Sequence, residues 1–308
     1  MTGQILEIAT DNKHLSAKDG FIVISEGQVE LGRIPIDAVE AVVVSAHGIT
    51  YSHSFLVRLS ENNIPFVACN QKHFPVSYLL PFEGHYKQGS VMDAQLQANL
   101  PLNKRLWRDL VKAKIAMQIS VLTHYQKPVQ RLEYLLKSVK SDDSENAEGQ
   151  AARFYFQALF GDNFIRDREA NGINAMLNYG YTVLRAFIAR YSTAAGLHPT
   201  MGIHHRNALN GFRLADDLME PFRPIVDFAV YEMITKGETA LTSTVKQSLV
   251  NVFSGNIPAF LGQTQITICM QNLCISLAKV YLKEREELDL PYSPQPWDWE
   301  ALNAFIAV

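Results

Sequence analysis

His204-His205-Arg206-Asn207-Ala208-Leu209-Asn210-Gly211-Phe212-Arg213-Leu214-Ala215-Asp216-Asp217-Leu218-Met219-Glu220-Pro221-Phe222-Arg223-Pro224 is the stretch on which the reading of this chain turns. Within 21 residues it holds two imidazoles, three carboxylates and three guanidinium groups. Leu218, Phe222, Ile225, Ala229 and Met233 recur at three- and four-residue steps, the spacing of one helix face. Asp217, Glu220 and Asp227 fall on another face, and Pro221 and Pro224 predict a helix that starts or kinks here. The segment therefore anchors itself by one stripe and presents acids on another. Two chemistries fit. The acids could hold a divalent cation if His205 comes near them, or they form a satisfied polar cluster with Arg213 and Arg223. Charged groups are rarely buried without a partner, so either reading requires partnership.

The chain around this stretch has 308 residues, 47% hydrophobic and 19% charged, which is ordinary for a globular protein long enough for two domains. The absence of an 18-residue apolar run speaks against a membrane span, and Met1–Glu7 reads as no signal peptide. Cys69, Cys269 and Cys274 are few, odd in number and set among apolar residues, so we expect reduced core thiols and a cytoplasmic location. No zinc-type spacing is present. The net charge of −3 does not advertise nucleic-acid binding, but its distribution is uneven: −4 over residues 1–100, +4 over 101–230 and −3 over 231–308. Local positive potential, not the total, sets phosphate affinity, and the basic middle contains the His/Asp/Glu stretch.

Upstream, residues 1–80 read as short strands: Gln4–Thr10, Phe21–Ser25, Gln28–Ile36, Ala41–Ser45, Ile64–Cys69 and Val76–Leu80. One helix, Ser52–Asn62, interrupts them. A small β-sandwich or compact α/β unit follows, without site chemistry. His14, His47, His53 and His73 are scattered and read as surface or satisfied histidines. Residues 81–101, bounded by prolines and containing Gly84 and Gly89, read as a linker. From 102 to 308 the pattern is helical. The expected architecture is α+β and multi-domain, a small N-terminal mainly-β domain followed by a larger all-α domain. Lys104–Tyr125 is amphipathic, with Lys104, Arg105, Arg108, Lys112 and Lys114 as a stripe that either tracks phosphates or is simply solvated. Glu148 opens a helix reaching Phe160; a carboxylate there suits the helix dipole, or serves as a ligand beside His205 and Glu220. Arg166–Ala194 reads as a core helix, broken by Gly196, Pro199 and Gly202 before His204. Residues 233–275 read as helices with a turn at Gly255–Pro258. The tail 291–308, with Trp297 and Trp299, either caps the domain or is loosely attached.

Three stretches together resemble one family. They are Glu148-Gly-Gln-Ala-Ala-Arg-Phe-Tyr-Phe, Leu177-Asn-Tyr-Gly-Tyr-Thr-Val-Leu-Arg, and Gly202-Ile-His-His with Leu214-Ala-Asp-Asp-Leu-Met-Glu-Pro-Phe-Arg-Pro. In order and spacing they resemble the CRISPR-associated endonuclease/integrase of spacer acquisition, the first and near-universal Cas family, in its type II form. The resemblance implies a catalytic metal site with Mg2+ or Mn2+ held by Glu148, His205 and Glu220, where many relatives have Asp at the last position. His204 is the other candidate imidazole, and Asp217 matches a further acid often beside the metal. It implies joining of the 3′-hydroxyl ends of captured DNA (protospacers) to a CRISPR repeat, without a covalent enzyme intermediate. Arg206, Arg213 and Arg223 are candidate phosphate contacts, with Arg153 and Lys112 behind them. The implied partners are double-stranded DNA, a second copy of the chain through the β domain (1–80), and a dimer of a small ferredoxin-like CRISPR-associated protein bridging two such dimers. Other type II adaptation proteins belong to the same implied set, and no membrane does. Two competing readings are a His-Asn nuclease built on His204–Asn207, which needs a hairpin before its helix, and a non-catalytic helical nucleic-acid scaffold.

Overall fold

The computed structural model describes residues 4–70, 75–81, 85–167 and 169–306. The chain forms two compact units, Met1–Tyr86 and Lys87–Val308. His73, and the part of the expected linker at 82–84, lie outside the described residues.

The first unit is rich in strands, as expected. It contains β1 (Gln4–Ile8), β2 (His14–Lys18), β3 (Phe21–Glu26), β4 (Val29–Pro35), β5 (Val39–Val44), β6 (Thr50–Tyr51), helix α1 (His53–Glu61), β7 (Phe66–Cys69) and β8 (Pro75–Leu79). One sheet runs β1-β5-β7-β8 and the other β4-β3-β2-β6. Leu6 and Val42 from the first sheet, Leu15 and Ile22 from the second, and Phe55 and Leu59 from α1 share one core. β2 escaped the sequence pattern because Leu15 is its only strongly apolar residue. Pairing forms it: Lys18 faces Phe21 across the two-residue turn Asp19-Gly20. Both turn residues have positive φ, +50° and +81°, the geometry that matches strand twist in a tight hairpin. α1 begins where Ser52 accepts the amide N–H of Phe55 and ends at Asn62.

The second unit is helical: α2 (Gln88–Leu96), α3 (Leu100–His124), α4 (Gln130–Ser138), α5 (Ala147–Phe160), α6 (Ile173–Ala194), α7 (Arg213–Leu218), α8 (Arg223–Thr235), α9 (Ser243–Asn251), α10 (Ile266–Tyr281) and α11 (Pro296–Asn303). The described part of the stretch 81–101 is not an open linker. α2 occupies much of it, and the buried Gln95 side chain donates to the carbonyls of His198 and Met201 and accepts from the His198 amide. Tertiary hydrogen bonds, rather than an apolar stripe, hold this helix. Pro101 opens α3 behind the cap of Asn99, whose side chain accepts from Leu102 N. The turn expected at Gly255–Pro258 is half of a hairpin, β9 (Asn256–Ala259) with β10 (Gly262–Gln265). The tail is a cap: Trp299 is fully buried, donates to Ser120 Oγ at 2.8 Å and packs on Phe228. α6 is central, packing on α7, α8, α9 and α10. The three thiols are buried, and burial pushes those of Cys269 and Cys274 up to about 12. No described helix is long and apolar enough to cross a membrane.

Candidate functional site

Glu148 lies in the first turn of α5, and two residues before the helix hold it there. Asp143 accepts the amides of Ala147 and Glu148 at 2.8 and 2.9 Å, and Asn146 accepts that of Gly149. Asp142, Asp143 and Asn146 all carry positive φ, a conformation that Asp and Asn tolerate better than most residues. Glu220 sits in a 3-10 turn, Glu220–Phe222, between α7 and α8. Pro221 and Pro224 each occupy the first turn of a helical segment, so the prolines start helices here rather than breaking one.

The two acids meet at Lys114. Its Nζ contacts Glu148 Oε1 and lies 2.5 Å from Glu220 Oε2. Lys114 does not belong to a solvated stripe as its sequence context suggested; it is 6% exposed, on the face of α3 that carries Leu110, Met117 and Val121. Burial disfavours its charge, but Glu220 and Glu148 outweigh that and raise its pKa. Lys114 in turn lowers the pKa of Glu148 against the opposing effect of burial. Glu220 Oε1 lies 2.9 Å from Arg223 Nε. Neither Glu220 Oε2 nor Arg223 Nε has a partner aligned as a hydrogen bond, so charge and proximity hold these contacts more than geometry does.

His205 is positioned by Asp217, which is completely buried. Asp217 accepts the amides of Ile203, His204 and His205 at 2.6, 3.0 and 3.2 Å, and His205 Nδ1 lies 2.6 Å from its Oδ1. This hydrogen bond raises the His205 pKa against burial, and Glu220 adds to the effect. With Nδ1 turned to Asp217, Nε2 is the ring nitrogen left for a ligand. His204 differs: its ring stacks on Trp107 at 4.3 Å, and its Nδ1 is 3.5 Å from Asp142. His205 meets the edge of the same Trp107. α7 is also clamped from α6, where Arg185 donates two hydrogen bonds of 2.7 Å to Asp216. The residues preceding His204 are turns, neither helix nor hairpin.

The acids of 217–227 do not form one exposed stripe, since Asp217, Glu220 and Asp227 are all buried. Asp227 accepts from the Tyr181 hydroxyl, and burial pushes its carboxyl up to about 7. Of the five basic residues singled out, Arg213 donates to the Thr200 carbonyl at 2.7 Å. Arg223 is taken by Glu220 and the face of Tyr181. Arg206 and Arg153 are exposed and Lys112 is half-buried. Arg153 lines an open groove of about 620 Å³ with Phe156, Phe164 and Arg166. Sequence reading missed Asp143, Trp107, Arg185 and the role of Lys114. The apolar periodicity of α3 does contain the signal for Lys114, which stands four residues after Leu110 and seven before Val121.

Among the described residues, no three His, Cys, Asp or Glu side chains are already gathered into a metal-holding group. The donor set nevertheless fits a hard divalent cation. Glu148 and Glu220 converge on one positive charge, Glu220 Oε2 lacks an aligned donor, and His205 is electrostatically coupled to both acids.

A strand-rich unit followed by a helical unit that gathers two carboxylates and an oriented imidazole defines a protein class with known relatives. The family model for CRISPR associated protein Cas1 matches residues 6–252, and the chain belongs to that family. The CRISPR-associated endonuclease Cas1 of Neisseria meningitidis serogroup C (strain 8013) is 36% identical over 221 residues, 70% of this chain and 72% of the relative. The fold is shared with a casposase bound to integration product, at TM-score 0.79 and 20% identity over 94% of this chain and 93% of that one. It is shared also with a chain of a Cas6-RT-Cas1–Cas2 complex, at TM-score 0.74 and 19% identity over 97% of this chain and 36% of that one. The family read from the three sequence stretches is thereby borne out.

Proposed function

We propose that this chain is a metal-dependent DNA endonuclease and integrase of CRISPR adaptation, joining 3′-hydroxyl ends of captured DNA to a repeat by transesterification. The observation that carries the reading is the convergence of Glu148 and Glu220 on one cation beside His205. Glu148, Glu220 and His205 would hold Mg2+ or Mn2+. Such an ion supplies Lewis-acid polarisation of the scissile phosphate and a lowered pKa for the attacking hydroxyl. The protein's part is positioning. Asp143 and Asn146 set Glu148 at the mouth of α5, Asp217 turns His205, and Arg223 steadies Glu220. In the reaction the 3′-oxygen of the incoming strand bonds to phosphorus, and the 3′-oxygen of the cut strand leaves with a proton. The exposed Arg206 and Arg153 are the phosphate contacts this reading favours, because Arg213 and Arg223 already have internal partners.

The structurally similar casposase is bound to an integration product, which supports DNA as a ligand of this chain, and the similar Cas6-RT-Cas1–Cas2 complex supports a small CRISPR-associated partner. The type II form and a cytoplasmic setting complete the proposal. The test is a joining assay with Mn2+, the partner protein, a duplex with 3′-hydroxyl ends and repeat-containing DNA. Wild type should join strands, whereas Glu148→Gln and Glu220→Gln should not. Full joining by either variant, or joining in chelator, would overturn the metal site assigned to these residues, and no joining by wild type would leave the non-catalytic scaffold as the better account.

A further inference from the structure

Lys114 is an unusual residue to find in the middle of a buried helix face. At 6% exposure an ammonium is costly to bury unless anions surround it, and here both acids of the site do so. Two carboxylates held to one Nζ would repel strongly without it. We propose that Lys114 is the resident counter-ion of the metal site: it holds Glu148 and Glu220 together when no divalent cation is bound, and it competes with that cation for Glu148 Oε1 and Glu220 Oε2. The inference rests on the metal-dependent reading above and adds to it a residue that sets how much metal the site requires.

Three features support displacement rather than a permanent salt bridge. Glu220 Oε2 has no aligned hydrogen-bond donor, so its grip on Lys114 is charge alone. Arg223 lies against the other oxygen of Glu220, so that carboxylate keeps a partner and its orientation if the ammonium leaves. The Glu148 side chain is 27% exposed, which leaves a path from solvent to the pair. A lysine is suited to this role because its charge is a point on a flexible stem, able to swing aside without moving α3.

The test uses the full chain with MnCl2 as the only probe and no nucleic acid. Bound Mn2+ is followed by electron paramagnetic resonance and stability by thermal unfolding. Lys114→Met should melt below wild type in chelator, recover with Mn2+, and half-saturate at a roughly tenfold or more lower Mn2+ concentration, since a competing unit charge has gone. Equal or weaker Mn2+ binding by Lys114→Met, with wild type binding normally, would overturn the inference and leave the metal site standing. Absence of Mn2+ binding in both proteins would instead defeat the metal-dependent reading, and the inference with it. Should Lys114→Met not fold in chelator, Lys114→Met/Glu148→Gln removes one charge of each sign. It should fold without metal and gain less stability from Mn2+ than wild type does; a gain equal to wild type's would also count against the inference.

Discussion

Glu220 has two cationic neighbours, Lys114 and Arg223, and it is 4% exposed. If Glu220 is a metal ligand as proposed, it is a salt-bridge partner as well. Glu220→Ala should abolish joining and also lower stability by about 3 kcal/mol, because it strips an anion from two buried cations. Urea unfolding beside the joining assay checks both halves; an inactive protein of unchanged stability would mean that the ion pairs contribute little. His205 carries the pH dependence. Its pKa is raised above 6.5 in the folded chain by Asp217, so this pair stabilises most below the unfolded pKa and loses its effect as pH rises through the folded one. The stability gap between wild type and His205→Ala should therefore be widest near pH 6 and shrink toward pH 8. A ligand imidazole must be neutral, so Mn2+ binding should strengthen over the same interval. A gap that grows with pH would reverse the assignment of Asp217 as the proton-sharing partner.

Among the elements, the contact of α6 with α8 decides where the acids stand. Gly180 lets them close: a Cβ there would come 2.4 Å from Val226 Cγ1. Gly180→Ala should cost about 1–3 kcal/mol by overpacking and lower the melting temperature. Part of the joining activity should go with it, since α8 follows directly from the Glu220 turn. An alanine variant with wild-type stability would show that α8 shifts freely. The glycine in the Leu177–Arg185 motif is thus explained by helix approach and not by chemistry. Gly202 is a second tight point, where a Cβ would lie 2.7 Å from the His205 carbonyl oxygen and 3.0 Å from Asp217 Oδ2. Gly202→Ala should accordingly weaken Mn2+ binding in titrations, through His205 rather than through either glutamate.

For the whole molecule, each unit has its own core, and the chemistry gathers in the second. The excess of positive charge over residues 101–230 overstates what faces solvent, because Lys114, Arg185, Arg213 and Arg223 have partners inside the unit. Nucleic-acid affinity should therefore rest on a few exposed groups such as Arg206 and Arg153, with a modest salt dependence for the chain alone. If the strand-rich unit carries the homodimer surface, edge strand β4 offers Val29 and Leu31, 63% and 53% exposed. Val29→Lys with Leu31→Lys should then convert dimer to monomer in sedimentation without moving the thermal transition of the helical unit. A persistent dimer would place the interface on other residues.

Sequence periodicity determined the class of architecture, the start of α1 at Ser52, the opening of α5 beside Glu148 and the family. These depend on local propensity, capping and motif wording, which neighbouring residues carry by themselves. It did not determine β2, whose strand exists because β3 pairs with it, nor α2, which is held by hydrogen bonds from Gln95 to residues about a hundred positions away. The site divides in the same way. Glu148, His205 and Glu220 were legible as ligand types, but their partners were not. Tertiary structure turned Lys114 inward, spent Arg213 and Arg223 on internal acceptors, and buried Asp217 beneath three backbone amides. The reason is physical: a charge can be written at any position in a sequence, but whether it meets water, phosphate or a buried counter-charge is decided by which distant elements close around it.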